Sequence, residues 1–193
     1  MNKYLLIFLF FLLNSTAYAQ FTTTIQWHNA KTSRASDTIY YDLNSKLDWA
    51  DFKGKPDAGN GAAAITESGF GYRISMQSVN GKANLIITVF CYFNKNNSLV
   101  KKGMNTDYAL LHEQHHFDIT YINAFLFIQK LRAARLTKNN FASAVEKIHD
   151  ECFAQLGQMQ DAYDGETKNG RLSNQQSVWN KKIDRQLESL FTD

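Results

Sequence analysis

The chain has 193 residues, of which 44% are hydrophobic, 13% aromatic and 20% charged. This apolar content is sufficient for a buried core and excludes intrinsic disorder as the main state. The formal net charge of +3 is too small to indicate nucleic acid or an anionic membrane as a partner. The single proline favours one compact domain over two domains joined by a linker.

The N-terminal segment has the pattern of a secretory signal. Lys3 precedes an unbroken apolar run at residues 4–13, and Ala17 and Ala19 occupy the positions that a signal peptidase recognises. The run is shorter than the roughly 20 residues that span a bilayer. We expect residues 1–19 to be a cleaved signal peptide, although an uncleaved anchor is the alternative. The mature domain, residues 20–193, would then be periplasmic or secreted, with no membrane association.

The mature chain begins with strand-like segments and continues with helical ones. Runs rich in β-branched and aromatic residues predict strands at 21–27, 38–41, 62–75 and 85–93, and Asn80-Gly81 predicts a hairpin turn. Helical periodicity follows at 108–136, 141–163 and 174–190, with Gly165 and Gly170 in the break before the third helix. Strands followed by helices, without alternation, predict an α+β fold.

Two cysteines occur, one in each half. Cys91 lies in the predicted strand 85–93 and Cys152 in the second predicted helix, both with apolar neighbours. Two cysteines cannot form a thiolate zinc site or a disulfide framework. The sequence leaves open whether they are buried free thiols or a disulfide formed in an oxidising compartment.

The first predicted helix contains the motif H-E-x-x-H, formed by His112, Glu113 and His116. Residues four apart project from the same helical face, so the two imidazoles can share a metal ion. Zn²⁺ suits this pair, because imidazole is a good ligand for it. Glu113 lies about 100° around the helix, where it can act as the general base on water activated by the metal. The pattern therefore predicts a zinc site with a hydrolytic function.

A catalytic zinc site needs a third protein ligand. The metzincin extension is excluded, since Asp118 and Ile122 stand where that motif requires Gly and His. Glu146 lies off the apolar stripe of the second helix, which predicts that it faces solvent, and His149 is typical of a half-buried histidine. A further candidate segment is 163–170, just after the second predicted helix.

Two polar neighbours of the motif are expected to lie outside the ligand set. His115 points about 60° away from His112 and is expected at the surface or behind the ligands. Asp118 cannot face the same way as His116, and we expect it to anchor the helix to a neighbouring segment.

Three stretches of the chain resemble a bacterial family of exported zinc-dependent proteases. Residues 47–56 resemble the family pattern L-x-W-x-D-F-x-G-x-P, and residues 112–119 resemble its H-E-Q-x-H-F-D-I helix. Residues 163–170, followed by Gln175 or Gln176 and by Trp179, resemble its Y-D-x-E-T-x-H-G…Q…W tail. The resemblance implies an exported zinc peptidase that acts on peptides or proteins.

The chain departs from this family pattern at Asn169, where the family has a histidine. That histidine would serve as a third ligand or as a donor to the oxyanion, whereas asparagine is a poor zinc ligand. Asp164 then becomes the candidate third ligand, an arrangement that resembles the deuterolysin-type metallopeptidases. The alternative is that Asp164 caps the turn before Gly165.

The sequence thus predicts a zincin-like α+β domain, with a small N-terminal sheet packed on the long H-E-x-x-H helix and two further helices. Its large rings are expected in the core between sheet and helices: Trp49, Phe52 and Trp179. The predicted function is an exported zinc metallopeptidase with Glu113 as base and His112, His116 and Asp164 as ligands. A metal-binding module with weak or no catalysis is the main alternative, and a structural domain with a fortuitous motif is a third.

Overall fold

The structure is a computed structural model that describes residues 21–28, 35–56, 61–79 and 82–190. The expected signal peptide at 1–19 and the expected turn at Asn80-Gly81 lie outside the described residues. Across the described ranges, no helix is both long enough and apolar enough to cross a membrane. Strands occupy the first half and helices the second, which confirms the α+β class.

The strands form one four-stranded sheet and one short two-stranded sheet. Within the described residues they are β1 (Phe21–Trp27), β2 (Thr38–Tyr40), β3 (Ala64–Ile65), β4 (Ser68–Val79), β5 (Lys82–Asn94) and β6 (Leu99–Val100). The central strand β5 pairs antiparallel with β4, in the register of a hairpin. It also pairs with β1 in parallel and with β2 antiparallel, at successive stretches of its length.

The predicted strand at 62–75 is two strands in the structure. β3 pairs antiparallel with β6, whereas β4 pairs with β5. The break falls at Thr66 and Glu67, because the Glu67 backbone bonds the loop after β5: its N–H donates to Ser98 Oγ and its carbonyl accepts from Asn94 N. The segment before β4 is thereby held away from the main sheet and beside the helices.

Three helices pack on this framework: α1 (Asp107–Ala133), α2 (Phe141–Thr167) and α3 (Ser173–Ser189). The side chain of Thr106 caps α1 by accepting a hydrogen bond from Ala109 N. α1 contacts the sheet on one side and both other helices on the other. All residues from 112 to 121 are consequently buried, including every residue of the H-E-x-x-H motif.

Helix α2 is four residues longer than the sequence pattern predicts. It continues through Gly165 and ends where Lys168 and Asn169 adopt left-handed φ values of 54° and 52°, followed by Gly170 at 76°. A glycine costs a helix interior about 1 kcal/mol, which buried contacts of neighbouring side chains can offset. Here Tyr163 and Thr167 are fully buried on either side of it. Asp164 therefore lies on the last helical turn, and the expected loop there was wrong.

The core contains the expected apolar residues. Alternate residues of β5 are buried, ending in Cys91 and Phe93, as expected for a strand with one face on the core. Both cysteines are buried free thiols, Cys91 on β5 and Cys152 on α2. Phe52 and Trp179 are buried and Trp49 is half-buried against the same core, which confirms their expected packing.

Candidate metal centre

Three side chains from two helices converge at one point. His112 and His116 lie one turn apart on α1, and Asp164 lies on α2. The two Nε2 atoms are 3.2 Å apart, and Asp164 Oδ1 lies 3.2 Å from His112 Nε2 and 3.1 Å from His116 Nε2. The structure thus brings together all three predicted metal ligands, one oxygen and two nitrogens, in a nearly equilateral triangle.

The triangle fits a divalent metal ion such as zinc. Ligand atoms 2.0–2.1 Å from a tetrahedral zinc ion are about 3.3 Å apart, close to the separations seen here. Two imidazoles and a carboxylate are the ligand chemistry of catalytic zinc sites, which keep one position open. We call the group formed by His112, His116 and Asp164 the ligand triangle. Its donor set would also accept other divalent ions, since metal selectivity depends on more than ligand type.

The outer nitrogen of each imidazole contacts a glutamine amide. His112 Nδ1 lies 2.9 Å from Oε1 of Gln176, on α3. His116 Nδ1 makes a short contact with Oε1 of Gln160, on α2. Partners of this kind orient the ligands of metal sites. All three helices therefore contribute to the triangle or to its immediate support.

Tyr163 packs against the same rings from α2. Its ring is stacked on His112 with centroids 4.7 Å apart and meets His116 edge-on at 4.9 Å. Its hydroxyl donates to the backbone carbonyl of His112. Because Tyr163 is fully buried, it fixes the separation of α1 and α2 at the site.

Glu113 lies beside the triangle without joining it. Its Oε2 accepts a 2.7 Å hydrogen bond from the hydroxyl of Thr66, in the break between β3 and β4. The Thr66 hydroxyl also lies 3.2 Å from the Glu113 carbonyl oxygen. Among the described residues, Thr66 is the partner of this carboxylate, so Oε1 is available to accept a proton. Glu113 borders the same cavity as the ligand triangle.

A cavity of about 260 Å³ opens next to the triangle. On one side it is lined by residues 62–66, the segment that contains β3, and on the other by the start of α1. The loop after α2 completes it with Asn169, Gly170 and Arg171. The side chain of Asp164 is 42% exposed, so the triangle is open to this cavity rather than sealed in the core.

The electrostatics of the triangle follow from its geometry. Burial alone would raise the pKa of the Asp164 carboxyl, but its contacts with His112 and His116 hold that pKa well below its usual range. Burial alone would lower the pKa of His116, but Asp164 and the charge of Glu113 raise it. A positive charge, from a proton or a metal ion, is thus strongly favoured between these atoms.

The remaining polar residues considered from the sequence lie elsewhere. His115 is buried, not at the surface, and its Nδ1 lies 3.1 Å from Asp118 Oδ2. Asp118 accepts a 2.7 Å hydrogen bond from the hydroxyl of Tyr41, which confirms that it anchors α1 to a neighbouring segment. Glu146 is exposed, as expected. His149 packs among aromatic rings such as Phe70, as expected for a half-buried histidine.

The sequence indicates the two glutamines that contact the histidines, Gln160 and Gln176, to different degrees. Gln160 has no motif around it, but it precedes Asp164 by four residues and so shares its helical face. For α3 the resemblance left Gln175 and Gln176 open. The structure selects Gln176, which is buried with Trp179 and Ile183 three and seven residues further on, whereas Gln175 is exposed.

No protein-family model, curated protein or solved structure matches this chain. The resemblance to the exported zinc proteases therefore stays a prediction from the sequence motifs.

Proposed function

We propose that this protein is an exported zinc-dependent metallopeptidase with a zincin-like arrangement of its metal helix. The observation that carries the proposal is that the ligand triangle and Glu113, a carboxylate outside the triangle, border the same open cavity. His112, His116 and Asp164 would hold the zinc ion. The motif spacing, the burial of the motif and the open side of the triangle each support the same role.

Zinc in this position would supply Lewis acidity, lowering the pKa of a coordinated water and polarising the substrate carbonyl. Glu113 supplies the base. Thr66 holds Oε2, so Oε1 is the oxygen that takes the proton from the attacking water and later returns it to the leaving amine. Thr66 thus orients the carboxylate, which belongs to the motif but does not coordinate the metal.

The shape of the cavity supports an extended peptide as the substrate class. Residues 62–66 form one wall, and β3 within that wall has β6 as its strand partner in the described part of the chain. An extended peptide can add to a strand edge through main-chain hydrogen bonds. Small residues, including Ala62, Ala63 and Ala109, border the cavity and leave room for a peptide backbone.

The test is peptide hydrolysis by the full zinc-loaded chain. Wild type is expected to cleave a mixed peptide library, to stop when a chelator removes the metal, and to recover when zinc is returned. Glu113→Gln should retain zinc and lower the rate of hydrolysis by about 10²- to 10⁴-fold, because an amide cannot accept the proton. Zinc affinity is measured by competition with a chromophoric chelator and hydrolysis by mass spectrometry.

Glu188→Gln is the matched control, since Glu188 is an exposed glutamate on α3, far along the chain from the motif. It should change neither zinc affinity nor hydrolysis. Equal activity in Glu113→Gln and wild type would exclude Glu113 as the base. Absence of cleavage by wild type with zinc bound would exclude the peptidase and leave the binding module.

The binding module has one specific observation in its favour. Asn169 borders the cavity at the position where the resembling family has histidine, so a donor or ligand of that pattern is missing. If this substitution weakens catalysis, Asn169→His should raise the rate of peptide hydrolysis by on the order of tenfold while changing zinc affinity little. An unchanged rate would show that Asn169 does not limit activity. The exposed Asn174→His serves as the control.

A further inference from the structure

The hydrogen bonds of Gln160 determine which way its amide group points. Its nitrogen lies 2.9 Å from the backbone carbonyl oxygen of His116, an atom that can only accept. The same nitrogen lies 3.3 Å from the hydroxyl oxygen of Thr120, which is itself 3.0 Å from the His116 carbonyl oxygen and 2.8 Å from Ser68 Oγ. The NH₂ group must therefore face these two oxygens, and the amide oxygen must face Nδ1 of His116.

A separate chain of contacts determines the amide of Gln176. The hydroxyl hydrogen of Tyr163 is directed to the carbonyl of His112, so the Tyr163 oxygen accepts its next hydrogen bond. That bond comes from the nitrogen of Gln176, which also donates to Asn180 Oδ1 at 2.7 Å. The amide oxygen of Gln176 is thereby left facing Nδ1 of His112 at 2.9 Å.

An amide oxygen accepts hydrogen bonds but donates none, so each imidazole must carry a hydrogen on Nδ1. We propose that Gln160 and Gln176 are positioning residues that lock both histidines in the tautomer with hydrogen on Nδ1, so that both Nε2 lone pairs converge with Asp164 Oδ1 on a divalent cation. This inference rests on the proposed metal site. It goes beyond that site by assigning two residues that do not touch the metal.

The two glutamine contacts oppose the tautomer that a histidine side chain prefers in water. A neutral histidine in water favours the tautomer with hydrogen on Nε2, which would direct a hydrogen into the ligand triangle and exclude a metal ion. The glutamine oxygen at each Nδ1 opposes this preference, in competition with Asp164 Oδ1, which lies 3.2 and 3.1 Å from the two Nε2 atoms. Burial protects the contact between Gln176 and His112 from competing water, since Gln176 is 1% exposed and His112 is 6% exposed; the contact between Gln160 and His116 is partly buried.

Glutamine also does something here that a carboxylate cannot do. Gln160 accepts from one histidine and donates to the backbone of the same residue, so ring and helix are fixed together. Because glutamine is neutral, it adds no negative charge to the two carboxylates that border the site, Asp164 and Glu113. A carboxylate at this position would be a stronger acceptor for Nδ1, but it could not donate a hydrogen bond to the His116 carbonyl.

The first test reads the tautomers directly by long-range ¹H–¹⁵N correlation spectra of the full chain. Spectra are recorded on the metal-free protein at alkaline pH, where both rings are neutral, and again with zinc bound. The expected result is hydrogen on Nδ1 of both His112 and His116 in wild type. Hydrogen on Nε2 of either ring in the metal-free wild type would overturn the proposal for that ring.

The second test measures zinc affinity in paired variants. Gln176→Leu should weaken zinc binding by about 10- to 100-fold, the usual effect of losing such a partner. Gln175→Leu, its exposed neighbour, should have no effect. Gln176→Glu should recover most of the affinity, because the carboxylate still accepts from Nδ1. A purely structural role would instead lower thermal stability in both Gln176 variants without separating their zinc affinities.

Gln160 gives a second, independent measurement if Gln176→Leu fails to fold. Gln160→Leu should weaken zinc binding by the same range, with the exposed Gln158→Leu as its control. Unchanged affinity in Gln160→Leu together with unchanged His116 tautomer would overturn the proposal. Failure of the metal site itself is recognised separately, because wild type would then bind no zinc while the tautomers in the metal-free protein could still be read.

Discussion

Helix α1 carries two buried groups of histidine and aspartate contacts, and they differ in what faces the carboxylate. In the Asp118 cluster, formed by Asp118, His115, Gln114, Tyr41 and Lys46, donors meet the aspartate. Tyr41 and Gln114 donate to Oδ1 at 2.7 and 2.8 Å, and Lys46 Nζ lies 3.7 Å away. In the ligand triangle, the carboxylate instead faces the Nε2 atoms of two imidazoles, His112 and His116.

The difference separates a structural group from the proposed metal site, which is made of the same residue types. Asp118 is fully buried and its charge is satisfied by the protein itself. The ligand triangle brings two imidazole nitrogens and a carboxylate oxygen within 3.2 Å of one another, an arrangement that a cation would stabilise. Its carboxylate is also partly exposed to a cavity. A buried His–Asp contact is therefore informative only when the donors around it are counted.

The largest expected effect distinguishes the two adjacent histidines. His116→Ala should abolish zinc binding, because it removes one of three ligands and opens the triangle. His115→Ala should leave most of the zinc affinity but lower the free energy of unfolding, since it removes a buried donor to Asp118. Isothermal titration with zinc and urea unfolding of both variants make the comparison. Equal loss of zinc binding in the two variants would contradict the assignment of His112 and His116 as the ligand pair.

The next effect is on stability. Asp118→Asn should lower the free energy of unfolding by about 2–3 kcal/mol, because it removes the buried charge that faces Lys46 and places an NH₂ group against donors that bonded one of the two carboxylate oxygens. Burial alone would raise the pKa of Asp118, but His115, the charge of Lys46 and the bonds from Tyr41 and Gln114 lower it overall. The exposed Asp184→Asn is the control.

A lowered folded-state pKa means that the charged form of Asp118 stabilises the fold. This contribution is full above the unfolded value of 3.8 and is lost as the pH falls through the lower folded-state pKa. Urea unfolding of wild type and Asp118→Asn should therefore give curves that converge as the pH falls below about 4. A constant difference at all pH values would show that the loss comes from packing rather than from charge.

The smallest of the three effects concerns the carboxylate of the triangle. Asp164→Ala should lower zinc affinity by well over tenfold while both histidines remain. Asp161→Ala, an exposed aspartate one turn earlier on α2, should not change it. Both are measured by competition with a chelator. Wild-type affinity in Asp164→Ala would show that Asp164 is not a metal ligand.

The pairing of His112 and His116 could be predicted because it depends on local geometry alone. Residues four apart share a helical face whatever the tertiary structure, and His112 and His116 lie where that rule places them. The proposed base, Glu113, follows from the same motif. The strand-then-helix order was sufficient for the fold class, although strand 62–75 hides a break that depends on contacts of Glu67 with a distant loop.

The third ligand could not be derived in the same way, because its distance from α1 depends on how helices pack. Gly165 predicted a break, yet the packing of Tyr163 and Thr167 continues α2 past it and carries Asp164 on a rigid turn. Gln160 carried no signal beyond its spacing from Asp164. A sequence pattern shows which residues share a face, but not which face another helix meets.

The ligand triangle and its supports draw on α1, α2 and α3, over sequence separations of 44 to 64 residues. Bringing a carboxylate oxygen and two imidazole nitrogens together costs free energy that a positive charge between them offsets, so binding of the proposed metal ion would be thermodynamically linked to docking of these helices. A ligand of the folded state alone adds about 2.7 kcal/mol of stability when its concentration is a hundred times its dissociation constant. In the proposed site, zinc would therefore join α1 to α2 directly, and to α3 through Gln176, so that metal supply would raise the free energy of unfolding of the helical half of the chain.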